Sequence, residues 1–172
     1  MRVDITHELE AVAILQREID GAPIVYLDSG NTSQKPRQVI EAMDSFLRTS
    51  YAPINRSAYR LAAEATDRYE GARTAVARFV NAPRADDIVF TKNATESLNL
   101  IASSWGGAYL REGDAVVLTH MEHHANIVPW FQLQAEKGFE IRWIPLTDDA
   151  QLDLTDIDTL LDGAKILALT AM

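Results

Sequence analysis

From residue 87 onward the chain alternates between short apolar runs and segments with helical spacing. "DIVFTK" precedes "ATESLNLIASSWGGAYL", "DAVVLT" precedes "NIVPWFQLQAEKG", "FEIRWIPL" precedes "LTDIDTLLDG", and "KILALT" comes last. A run apolar at consecutive positions suits a strand covered on both faces. Strands separated by helices are joined by crossovers and lie parallel. The alternation predicts an α/β fold, a mostly parallel sheet with helices on both faces, and Gly138 is placed to close the helix before "FEIRWIPL".

The front of the chain reads differently. Residues 5–19 have the spacing of an amphipathic helix, and "IVYLDSG" predicts a short strand ending in a turn. Pro36 suits the start of a helix over "PRQVIEAMDSFLRTS", with Val39, Ile40, Met43, Phe46 and Leu47 on one face. Pro53 interrupts "YAPINRS", and a long helix follows from about 58 to 81. The expected organisation is an N-terminal arm, short strand and helix over 1–60, then a large domain over 61–172. "ILALTAM" ends on an apolar strand where such folds continue into a helix, so the chain is expected to be the front part of something longer.

Composition narrows the function. A net charge of −9, spread along the chain, argues against a nucleic-acid surface. The chain has no cysteine, which removes disulfides, thiolate metal sites and thiol nucleophiles. No apolar stretch is long enough for a bilayer, and "MRVDITHELEAV" lacks a signal peptide's apolar centre, so a cytoplasmic location is expected.

Two loops carry candidate chemistry, because α/β sheets collect ligands where strands lead into helices. In "TKNATES", Asn93, Thr95 and Ser97 are small polar residues at a helix start. Free N–H groups there hold a phosphate, or Asn93 or Thr95 caps them. In "THMEHHANIVPW", His120, His123 and His124 follow the strand "DAVVLT". Adjacent His123 and His124 diverge and no cysteine or HExxH pattern supports them, so no metal site is expected. The remaining readings are a solvated histidine, or an imidazole stacked on a ring or placed for proton transfer. Trp105, Trp130 and Trp143 read as packing residues. The Gly30–Asn31 pair permits a tight turn, and Arg56 reads as a surface residue or an anion partner.

Taken in order, "YLDSGNTSQKP", "EATDRYEGAR", "IVFTKNATESLNLIA", "GDAVVLTHMEHHANIVPW" and "IPLTDDAQLDL" resemble the N-terminal half of the SufS-like cysteine desulfurase and selenocysteine lyase group. That group falls within the class V aminotransferases, of pyridoxal 5′-phosphate fold type I. The resemblance implies that residues 61–172 are an incomplete cofactor-binding large domain and that His123 stacks on the pyridine ring and helps move protons. It implies that Ala94 and Thr95 hold the cofactor phosphate and that Gly30, Asn31 and Arg56 border the substrate. It further implies a homodimer that takes sulfur from L-cysteine, leaving L-alanine and an enzyme-bound persulfide, and passes it to an acceptor protein for iron–sulfur cluster assembly. Asp28-Ser29-Gly30-Asn31-Thr32 departs from the usual "DSAAT", and Ile54-Asn55-Arg56-Ser57-Ala58-Tyr59 from "V-H-R-G-x-H", so another amino-acid substrate is an alternative. Ala94 stands where the group often has threonine. None of Lys35, Lys92, Lys137 and Lys165 matches the Schiff-base lysine, so the chain alone is expected to be inactive, an alternative being a binding or dimerisation module.

Overall fold

The computed structural model describes residues 12–55 and 57–170, and the chain divides into two compact units, Met1–Ile88 and Val89–Met172. Among the described residues, the first unit begins with a single 3-10 turn, Ala13–Gln16. A short antiparallel ribbon follows, β1 (Glu18–Ile19) and β2 (Ala22–Pro23), with Ile19 opposite Ala22. The helix expected over 5–19 is therefore overturned from Ala13 onward, and residues 5–11 lie outside the described residues. The cause is the Asp20–Gly21 loop. Both residues have positive φ, 53° and 76°, and a loop with that twist joins the strands of a hairpin.

The strand expected over "IVYLDSG" is also absent. Val25 and Leu27 are 78% and 91% exposed, and the segment belongs to no ladder. β-branched composition makes a strand only where a neighbouring strand meets it. The two helices are present as α1 (Arg37–Thr49), entered from Pro36, and α2 (Arg60–Phe79). The apolar stripe of α1 remains largely exposed, Met43 at 60% and Leu47 at 59%.

The second unit follows the sequence pattern more closely. Helix α3 (Ala94–Ile101) runs on through a wider π turn, Ala102–Gly106, into a last turn, Gly107–Tyr109. Strands β3 (Ala115–Thr119), β4 (Glu140–Ile144) and β5 (Ala164–Ala168) form a parallel sheet in the order β4–β3–β5. β3 is central and buried at every position, which explains why its apolar residues are continuous. Helix α4 (Val128–Lys137) lies between β3 and β4 in sequence, with Pro129 in its first turn. Gly138 ends it in the left-handed conformation, φ 75°, as expected from the sequence. Helix α5 (Ile157–Leu161) precedes β5.

The register explains the core. Val116 pairs with Ile141 and Ile166, and Leu118 with Trp143 and Ala168, so two apolar rows cross one face of the sheet. Trp130 and Leu133 of α4, Ala102 of the π turn, Leu110 and Phe139 pack on those rows. Arg142 alternates to the other side, where it donates to the Leu160 and Asp162 carbonyls at the end of α5 (3.1 and 2.6 Å). "DIVFTK" does not join the sheet, which is a correction to the sequence reading. Val89 is 67% exposed, and residues 88–92 pair with no strand among the described residues.

The π turn meets α4 at a glycine. A Cβ on Gly106 would lie 2.8 Å from Leu133 Cδ2 and 3.3 Å from Trp130 Cζ3, whereas one on Gly107 would meet nothing within 4 Å. Both residues are helical, so alanine gains roughly 1 kcal/mol of propensity at each. At Gly106 that gain is outweighed by overpacking of the buried core, about 1–3 kcal/mol. Gly106→Ala is expected to lower the urea midpoint and Gly107→Ala to raise it; equal midpoints for the two variants would contradict the close packing.

Candidate functional site

The site is built where β3 ends. After Thr119 the His120 N–H still donates to the Ile144 carbonyl (3.1 Å), and the chain then turns into the 3-10 segment His124–Asn126. Between them Glu122 folds inward and is only 9% exposed. Its Oε1 accepts from Thr119 Oγ1 (2.8 Å) and Thr170 N (2.9 Å), and its Oε2 from Asn126 Nδ2 (2.7 Å) and Thr170 Oγ1 (2.7 Å). Burial alone pushes this carboxyl's pKa up, but the bonds from Asn126, Thr170 and Thr119 outweigh it and hold the group below the ordinary glutamate value. Asn126 in turn accepts from Trp130 Nε1 (3.4 Å), so the carboxylate connects to the apolar core through one side chain.

The three histidines separate. His120 lies against the Trp143 ring, centroids 5.3 Å apart. The His123 and His124 rings are 6.1 Å apart and tilted by 46°. Among the described residues no three acidic or imidazole side chains group to hold a metal ion. His123 is exposed and locally tied: its Nδ1 accepts from the Ala125 N–H (3.1 Å), and its carbonyl accepts from the Asn126 N–H (2.8 Å). With Nδ1 accepting, the proton of the neutral ring sits on Nε2 at the free end. A flat ring with a free N–H can stack on an aromatic group and exchange a proton with it.

The start of α3 packs differently from a fully capped helix. Asn93 Oδ1 accepts from the Glu96 N–H (2.9 Å), and Glu96 Oε2 reaches back to the Lys92 N–H (2.6 Å). Capping is therefore real, but it takes up only the third amide of the first turn. Ala94 and Thr95 are exposed, and no described residue accepts from their N–H groups or from the Thr95 hydroxyl. Three donors converge at a helix N-terminus, a place suited to an anion. Helix α3 and the His124–Asn126 turn pack against each other within the second unit. The extended segment before α3 is not a strand, so this loop reaches the site by helix packing rather than by sheet order.

The other residues expected at the site are Gly30, Asn31 and Arg56. Gly30 and Asn31 lie in the first unit, in an exposed turn where the Asn31 N–H donates to the Asp28 carbonyl (3.1 Å). Arg56 lies outside the described residues. A cavity of about 190 Å3 sits between the π turn and α4, lined by Asn99, Ser103, Gln132 and Glu136 among others. That is below the ~300 Å3 typical of small-molecule sites. Sequence reading missed Glu122, although it stands in the quoted motif. The available signal was spacing: Glu122, Asn126 and Trp130 recur at i, i+4 and i+8, a row leading from a charge into the core, although Glu122 itself precedes the helical segments.

Residues 25–172 match the family model for aminotransferase class-V. The chain belongs to the class-V aminotransferases. Among relatives in this family, a cysteine desulfurase of Enterobacter sp. (strain 638) is 48% identical over 158 residues, 91% of this chain and 39% of the relative. An apo cysteine desulfurase from Thermococcus onnurineus NA1 superposes with a TM-score of 0.85 at 35% identity, over 98% of this chain and 40% of that one. The cysteine desulfurase CsdA from Escherichia coli gives 0.69 at 36% identity, over 83% and 36% of the two chains. The chain thus spans about two fifths of the length of these class-V relatives.

Proposed function

We propose that this chain forms the N-terminal part of a pyridoxal 5′-phosphate-dependent cysteine desulfurase, which takes sulfur from L-cysteine and leaves L-alanine. The observation that carries the reading is the packing of α3 against the His124–Asn126 turn, which brings a helix start with open donors and the element following His123 into one unit. The likeness to cysteine desulfurases supports the choice of substrate.

The residues present fit such a cofactor. The N–H groups of Ala94 and Thr95 and the Thr95 hydroxyl are free donors suited to its phosphate, and His123 offers an exposed ring with Nδ1 already engaged. Pyridoxal phosphate, when bound, supplies an electron sink for chemistry at the amino acid's α-carbon. The chain's own contribution is to hold the anion at α3, to present the flat face of His123 and to move a proton at Nε2. In the overall reaction the C–S bond breaks, the sulfur is taken up by a thiol as a persulfide, and carbon regains a proton. No thiol lies within these 172 residues, so they provide the cofactor side of the site. Gly30, Asn31 and Arg56 are proposed to border the substrate. A homodimer, a cytoplasmic setting, and delivery of sulfur to an acceptor protein for iron–sulfur assembly belong to the same proposal.

Pyridoxal phosphate added to the chain is expected to bind saturably by equilibrium dialysis. A hydrogen bond to a charged group contributes about 1.5–3 kcal/mol, so Thr95→Val should weaken binding at least roughly tenfold. The product of the whole gene, given L-cysteine, should form alanine and sulfide in equal amounts under a reductant. Unchanged affinity in Thr95→Val contradicts the phosphate assignment, and alanine-free turnover of another amino acid contradicts the substrate.

A further inference from the structure

We propose that Glu122 is the positioning residue of His123, a buried carboxylate that ties two strand ends to the turn carrying the imidazole and so sets the ring's tautomer. The functional weight of His123 rests on the reading above; the geometry does not. Glu122 gathers donors from three directions: Thr119 at the end of β3, Asn126 in the turn, and Thr170 just beyond β5. Asn126 is held on both sides, since its amide donates to Glu122 while its oxygen accepts from Trp130. Its backbone N–H closes the turn onto the His123 carbonyl, and inside that turn the Ala125 N–H meets His123 Nδ1. Each link depends on the one before it. Carboxylate fixes Asn126, Asn126 fixes the turn, and the turn aims one N–H at Nδ1.

A glutamine of the same shape cannot replace this group. Each carboxylate oxygen faces two donors, and each pair includes a nitrogen that cannot accept, Thr170 N at one oxygen and Asn126 Nδ2 at the other. Whichever way a glutamine amide turns, its NH2 meets one of those nitrogens. Asn126 could escape only by flipping, and its NH2 would then face Trp130 Nε1, another donor. The site therefore demands two acceptor oxygens, which only a carboxylate supplies.

The test is nitrogen-15 NMR of the histidine rings in the 172-residue chain without cofactor, with His123 assigned by its loss in His123→Gln. The wild type should show His123 as one Nε2–H tautomer. Glu122→Gln should give an averaged mixture of tautomers, and Thr170→Val, a milder change at an exposed residue, a smaller shift in the same direction. Leu110→Ala serves as control, because it loosens the core at a residue that makes no hydrogen bond to any member of the network and should leave the His123 signals in place. A retained single tautomer in Glu122→Gln overturns the proposal. So does an equal shift in Leu110→Ala, which would make the effect one of general loosening. Should Glu122→Gln fail to fold, Thr170→Val alone decides by the same criterion. Failure of the chain to bind pyridoxal phosphate would strike the proposed function and leave this result standing.

Discussion

Trp130→Ala is expected to remove about 3–5 kcal/mol of stability, enough to unfold much of a domain whose total is roughly 5–15 kcal/mol. Trp130 is 1% exposed and lies in the cluster formed with Leu110, Val116, Leu118, Leu133 and Phe139. It is the largest fully buried side chain among the described residues, so no neighbour can fill its space. Its N–H also reaches Asn126, which makes it the joint between the core and the turn under His123. Trp130→Phe separates the two roles. It keeps most of the ring but leaves the buried Asn126 oxygen without its donor, so its loss should be about 1–3 kcal/mol. Urea unfolding followed by circular dichroism measures both, and similar losses for the two variants would show that ring volume is not what the core needs.

The second large effect is at Glu122. Glu122→Ala leaves Thr119, 2% exposed, and Asn126, 3% exposed, without an acceptor, at about 1–3 kcal/mol for each buried unpaired group. Thr170 is exposed and recovers water, so it adds little. The loss should depend on pH with a definite sign. Glu122 is held below the ordinary glutamate pKa, so the folded state binds its proton less readily than the unfolded chain does. Its contribution is therefore fully present above the unfolded value, about 4.3, and is lost as pH falls through the depressed folded value. Melting temperatures from pH 7 down to pH 3 should show the wild type and Glu122→Ala converging in acid. A gap that widens in acid would mean that folding raises the carboxyl's pKa instead of lowering it.

The second unit was readable because its periodicity and its burial agree. "DAVVLT" is apolar at consecutive positions and becomes the central strand, covered on both faces. Gly138 ends α4 as its conformational freedom suggests. Where sequence reading failed, the deciding partner was non-local. "IVYLDSG" and "DIVFTK" have strand composition, yet a strand needs a ladder, and neither segment belongs to one among the described residues. At the front, the Asp20–Gly21 pair is a local hairpin signal that the expected helix over 5–19 does not take into account.

Local chemistry thus settled the elements of the second unit after "DIVFTK", their punctuation, and the two loops that carry polar groups, because propensity, capping and turn residues act over a few neighbours. Tertiary structure decided which strands pair, how α3 comes to lie beside the histidine turn, and that Glu122 ties two strand ends to the turn after His123. Those outcomes depend on groups as far apart as Glu122 and Thr170, which meet only after β3 and β5 align, and no pattern within a window of sequence contains that encounter.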